Sequence, residues 1–397
     1  MNYLKKLVLC SFGFVPLLVV SAQSFPYKAP ADNTVINAVT GNYTLVWQDN
    51  FNGTTLDETN NWNIEVNGDG GGNNELEYYR RENISVGIEP VSGANCLIIT
   101  GKKESYLGKT CTSGRLNTLG KMSFTHGKIE ARIKLPHTAN GLWPAFWMLG
   151  ADFPLVGWPN CGEMDIMEMG SSTGINQGTQ DRYFSGTLHW GETWVNHPMY
   201  SKATTNSYGL EDDFHLYTLT WDSTAVKMYL DLDKYPTNSP YYSMTINQAD
   251  VAPNPAHYFH KPFSVIFNMA IGGDFTGINT INNVTALANG DVSMYVDYVR
   301  VYQLGVPGES YSGPTLTALN QPNAENGMKV FPNPFSKSLT IESANKVVRL
   351  TLYNLSGKKI MSVSDTNIVN TSSLPTGIYL VTAEDINGNT GTFKVAK

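Results

Sequence analysis

Lys128, Glu130, Arg132 and Lys134 alternate with Ile129, Ala131, Ile133 and Leu135, and Pro136 closes the run. A period of two sends successive side chains to opposite faces of an extended chain, so this segment is a strand with one wet face and one dry face. Proline ends it because it has no amide to give to a neighbouring strand. The same alternation returns over 226–231 and 294–302, and 263–271 is an almost unbroken apolar run suited to a strand buried on both faces. No long segment keeps a 3.6-residue period with capping signals, and glycine, asparagine and proline interrupt the chain at short intervals. The fold class is all-β, with a two-sheet sandwich of roughly 250 residues as its main body.

Residue types divide the chain in two. All eight tryptophans and all seven histidines precede residue 261, whereas residues 326–397 contain neither, and no cysteine. Residues 23–325 hold 17 Lys/Arg against 30 Asp/Glu, a net −13, while 326–397 hold 8 against 4, a net +4. The expected plan is a leader over 1–22, a large β unit over 23–303, a proline- and glycine-bearing linker over 304–327, and a small second β-sandwich over 328–397. The leader follows from Lys5 and Lys6 ahead of the apolar stretch Leu7 to Val20, with Val20-Ser21-Ala22 as small residues for a signal peptidase. A buried N-terminal helix is the alternative. No later segment is long and apolar enough to span a membrane. A net charge of −7 with no basic run longer than two excludes a broad nucleic-acid or anionic-lipid surface, leaving an uncharged or cationic partner. Loss of Cys10 with the leader leaves Cys96, Cys111 and Cys161, of which one pair at most can bridge. Cys96 with Cys111 closes the shorter loop, and buried free thiols are the other reading.

The chemistry concentrates in Trp158-Pro-Asn-Cys-Gly-Glu-Met-Asp-Ile-Met-Glu-Met169. Glu163, Asp165 and Glu168 stand among Met164, Ile166, Met167 and Met169, a setting foreign to solvated acids. In a regular strand 163 and 165 share a face and 168 points the other way. One inserted residue, a β-bulge around Ile166 and Met167, puts all three acids on one face and the apolar side chains behind them. Four strand steps then separate the glutamate backbones by roughly 13 Å, and inward-leaning side chains bring the carboxyls to roughly 5 to 6 Å. That spacing favours double displacement over inversion, which needs roughly 6.5 to 9.5 Å. Charge on Glu163 and Asp165 raises the pKa of Glu168 toward that of a proton donor at neutral pH. A strand of ordinary ion pairs and a hard-cation site are the competing readings.

The run GEMDIME, with HGKIEARIKLP and GLWPAFWMLG before it and GTLHW after it, resembles the active-site region of family 16 glycoside hydrolases, most closely the bacterial laminarinases. The resemblance runs from about Trp47 to Tyr302. It implies a jelly-roll sandwich of the concanavalin A-like kind with Glu163 as nucleophile, Glu168 as acid/base and Asp165 as the residue that orients and tunes them. Unbulged members of the family carry a motif one residue shorter. The same resemblance places Asn74, Arg115, Trp143, Trp147, Trp158 and His189 in a sugar-binding cleft, where aromatic rings stack on the C–H faces of sugars and polar groups meet hydroxyls. The segment 73–79, N-N-E-L-E-Y-Y, resembles the cleft-lining N-x-E-L-Q-Y-Y with Glu77 in place of glutamine. It further implies a structural calcium on the far face with Asp297 as a ligand, and no cofactor for catalysis.

The tail, with Val330-Phe-Pro-Asn-Pro-Phe335, Leu352 to Lys358, Leu374 to Tyr379 and a terminal Lys397, resembles the type A C-terminal sorting domain of type IX secretion. It implies export and the type IX machinery as a transient partner. Taken together, the expectation is a secreted or surface-exposed monomeric retaining endo-β-glucanase that cuts β-1,3 bonds of laminarin-like chains, with mixed-linkage β-1,3-1,4-glucan also open. A family 16 hydrolase of agar or carrageenan, and a lectin-like glucan-binding protein without activity, are the alternatives.

Overall fold

The computed structural model describes residues 43–195, 197–314 and 328–397, apart from 333–334, 344, 355–358 and 376 in the last stretch. The expected leader and the second half of the expected linker lie outside the described residues. Two antiparallel sheets make the large unit. One runs in the order 242–245, 225–230, 215–221, 127–134, 292–303, 95–101, 84–88, with 44–49 also paired to 292–303. The other runs 199–205, 183–189, 163–169, 142–150, 263–271, 115–117, 63–64, with 123–125 also paired to 263–271. Alternation decides the packing. Ile129, Ala131 and Ile133 are fully buried between the sheets, as their period of two requires, and Phe263–Ile271 is buried at every position. Met164, Ile166, Met167 and Met169 from one sheet share a single core with Leu219, Val226 and Met228 from the other.

The segment read as linker begins inside this unit. Ser310–Ser312 forms a strand on Ser123–Thr125, and Gln303 donates its side-chain amide to the carbonyls of Thr125, His126 and Ser310. The tail forms a three-stranded and a four-stranded sheet, with Leu339 and Ile341 from the first packed into one core with Leu350, Leu352, Val381 and Val395 from the second. Cys96, Cys111 and Cys161 are free and buried, so the thiol reading holds and the bridge does not form.

The acid-bearing strand Glu163–Met169 sits in the middle of its sheet. Toward Leu142–Gly150, Met167 pairs with Phe146 and Asp165 with Trp147, so Ile166 is passed over. Toward Tyr183–His189, Asp165 pairs with Thr187 and Glu168 with Ser185, so Gly186 alone faces two residues. This is the expected bulge, at the expected place. The strand ends at Gly170, whose φ of 97° is closed to side-chain-bearing residues and whose Cβ, if present, would stand 1.9 Å from the Leu142 carbonyl oxygen. Gly170→Ala is expected to destabilise the protein by roughly 2–4 kcal/mol. Gly178→Ala, at φ 65° with nothing within 4 Å of the added methyl, should cost only about 1 kcal/mol. Denaturant midpoints of the two variants test the difference.

Candidate active site

The face of this sheet opposite the core carries a cleft of about 650 Å³, and all three acids line it. The bulge makes this possible while its methionines stay in the core. Each glutamate is held by an indole. Trp158 Nε1 donates to Glu163 Oε2 at 3.1 Å, and Trp143 Nε1 donates to Glu168 Oε1 at 3.0 Å. Trp143 is itself stacked on Phe275, with ring centroids 4.5 Å apart, and Trp158 meets His197 edge-on at 4.4 Å. Trp147 donates to Asn268 Oδ1 at 2.7 Å and lies under the Arg115 guanidinium at 4.9 Å.

A histidine pair stands beside the third acid. His197 Nδ1 faces the Trp194 carbonyl at 3.1 Å and therefore carries the hydrogen, which leaves its Nε2 as the acceptor of His189 Nδ1–H at 3.0 Å. His189 then turns the lone pair of Nε2 toward Asp165 Oδ2, 3.5 Å away, and Glu163 Oε1, 3.8 Å away. Burial and the neighbouring His197 push the His189 pKa down to about 3, so the ring stays neutral. A lone pair in that position suits a protonated Asp165 rather than a carboxylate. Burial, followed by the charges of Glu163 and Glu168, raises Asp165 well above the usual range.

Charge repulsion read from the sequence singles out Glu168, but the structure raises all three acids, because removal from water outweighs any one neighbour. Burial pushes Glu168 up to about 7 against the Trp143 hydrogen bond. Burial first, and the charge of Glu168 second, push Glu163 up to about 8. The two glutamates therefore share a proton near neutrality and titrate as a pair. The ligand atoms of Glu163, Asp165 and His189 also lie within 4.8 Å of one another and could grip a cation.

The chain's relatives point the same way. Residues 78–262 match the glycosyl hydrolases family 16, and residues 329–396 match the secretion system C-terminal sorting domain. The beta-glucanase of Rhodothermus marinus is 35% identical over 267 residues, covering 65% of this chain and 85% of that protein. The chain belongs to glycosyl hydrolase family 16. The glucan endo-1,3-beta-glucosidase A1 of Niallia circulans is also 35% identical over 65% of this chain, and the chain spans 34–38% of the length of the first curated relatives it matches. Among solved structures, a family 16 enzyme of a Bacteroides ovatus mixed-linkage glucan locus, in complex with its G4G4G3G product, superposes with a TM-score of 0.57 at 36% identity, covering 64% of this chain and 99% of that one. The tail carries the address for secretion, and among the described residues no helix is long and apolar enough to cross a membrane.

Against this family 16 frame, Arg115, Trp143, Trp147, Trp158 and His189 line the cleft, as expected. Asn74 does not. Its backbone adopts φ 57° and its side chain donates to both oxygens of Asp274, while the neighbouring Asn73 lines the cleft instead. Asp297 lies outside the cleft lining. Arg132 Nη1 holds its Oδ2 at 2.6 Å, and among the described residues Asp297 belongs to no cluster of acidic and histidine ligands. Sequence reasoning overlooked Asn268 and His197. Asn268 was visible as the one amide within the apolar run 263–271.

Glu77, the departure from the family's glutamine, is buried beside Glu75. Its Oε2 accepts from the Ile271 amide at 2.7 Å. Glu75 accepts from the Tyr79 hydroxyl at 2.9 Å, and that hydroxyl in turn accepts from Asn268, the partner of Trp147. Burial, then the charge of Glu75, raises the Glu77 pKa well above the ordinary value. A carboxyl raised on folding contributes stability that is complete below its unfolded pKa and declines as pH climbs toward the folded one. Glu77→Gln, which never ionises, is therefore expected to melt several degrees above the wild type at pH 8 and no higher at pH 4, as calorimetry would show.

Proposed function

We propose that the chain is a retaining endo-β-glucanase that hydrolyses internal β-1,3 linkages of laminarin-like glucans. One observation carries this reading: a bulged central strand aims Glu163, Asp165 and Glu168 into a single cleft and gives each glutamate its own indole N–H. Glu163, as carboxylate, attacks the anomeric carbon while Glu168 delivers its proton to the departing glycosidic oxygen. The C–O bond breaks, leaving a glycosyl ester on Glu163. With that charge gone, Glu168 loses a repulsive neighbour and serves as base for the water that opens the ester. Asp165, hydrogen-bearing and facing His189, keeps a second negative charge away from the nucleophile. Trp143, Trp147 and Trp158 frame the sugars.

The charge of the cleft supports a neutral polymer. Arg115 is the only Lys or Arg among the described lining residues, and Glu65 already holds it at 3.0 Å, whereas five carboxyl groups face the same space. Sulfated galactans would meet repulsion there. The names of the relatives favour glucans of β-1,3 or mixed linkage. The reading includes a monomer, which light scattering during size exclusion checks.

Incubation with laminarin, lichenan, agarose and carrageenan should release reducing ends from laminarin first and none from carrageenan. Binding to laminarin without release of reducing ends would sink the reading. Glu163→Gln and Glu168→Gln should each lower kcat by roughly 10³-fold or more while the fold persists. The roles separate with an aryl β-glucoside whose leaving group needs no proton: Glu168→Gln should accumulate a covalent glycosyl adduct by mass spectrometry, and Glu163→Gln should not. The pH dependence of kcat/KM should be bell-shaped, falling below about 7 as the pair gains a second proton and above about 8 as it loses its last.

A further inference from the structure

The bulge that gathers the acids also creates a problem of its own. Ile166 is passed over in the pairing with Leu142–Gly150, and Gly186 faces two residues at once on the other side. Ile166 is wholly buried at this break in the register. A buried carbonyl without a partner is costly, and a peptide free to tilt would let Glu163 and Glu168 drift relative to each other.

One side chain meets that carbonyl. The hydroxyl of Tyr241 donates to Ile166 O across the core. Tyr241 stands just before the strand Tyr242–Thr245 of the opposite sheet, and its own amide is fixed to the Met228 carbonyl at 2.9 Å. Its ring packs edge-on against Phe184, with centroids 4.8 Å apart. Gly186 leaves the room for this approach, since a Cβ there would stand 3.2 Å from the Tyr241 ring and 2.6 Å from Met228 Sδ. Burial raises the phenol's pKa, so it remains a donor at any working pH.

We propose that Tyr241 is a positioning residue for hydrolysis: by pinning the Ile166 carbonyl from the opposite sheet, it sets the spacing of Glu163 and Glu168 without touching substrate. This rests on the glucanase reading above, and wild-type turnover of laminarin tests that reading by itself. If the wild type is inactive the reading fails; if it is active, the variants decide the role of Tyr241.

A matched control lies in the same core. The Tyr217 hydroxyl is also buried, on a ring that packs against Phe184, and makes no hydrogen bond among the described residues. Tyr241→Phe is expected to lower kcat on laminarin by roughly ten- to a hundredfold with KM changed less than about twofold, as misplacement of a reacting group does. The two limbs of its pH profile should also move, because the coupling of the glutamates depends on their distance. Tyr217→Phe should leave kcat and the limbs unchanged. Para-aminophenylalanine at 241 restores a donor on the same ring and should return kcat to within a few-fold of wild type. The proposal is overturned if Tyr241→Phe lowers the melting temperature alone, with kcat and both limbs intact, or if the two phenylalanine variants lose kcat equally. It is likewise overturned if the folded para-amino variant turns over laminarin roughly ten- to a hundredfold more slowly than wild type. That last comparison is made against wild type and stands even if Tyr241→Phe yields no folded protein.

Discussion

A strand hydrogen-bonded on both sides has no freedom in where its side chains go: they alternate, and every second one belongs to the core. Two carboxyl groups needed at opposite ends of one sugar linkage, on one strand and on one face, must obey that parity or break it locally. Here it is broken once, between Asp165 and Glu168, on both flanks of the same strand. The core gains Met164, Ile166, Met167 and Met169, and the cleft gains all three acids. Gly186, the Tyr241 hydroxyl and the two glutamate-holding tryptophans are all answers to that single irregularity.

The site is stable only in a limited sense. Three carboxyls, each pushed upward by burial, make the folded state a better proton binder than the unfolded chain, so the cleft weakens the fold as pH rises through neutrality. Glu77 adds to the same trend from beneath the cleft. The rest of the sandwich, with its apolar strand 263–271 buried throughout, bears that cost.

Much of this was legible in the sequence, for identifiable reasons. Parity alone exposed the misfit of Glu168 and called for the bulge, because the period of a strand is an integer and errors in it cannot be averaged away. The tryptophans and His189 were legible through resemblance. Asn74 was not, because its direction depends on a positive φ and on Asp274, 200 residues away in the chain. The Arg132 partner of Asp297 was not legible either, because it comes from a neighbouring strand 165 residues away in the chain. Tyr241 could not be found at all, since its meaning depends on the distance between two sheets.

The short strand Ser310–Ser312 bears on how such a protein could be matured. Its pairing with Ser123–Thr125, and the three carbonyls gathered by Gln303, stitch the chain's exit into the edge of the sheet that holds the cleft. A cut on the hydrolase side of Ser310 would unpick a seam of the sheet itself.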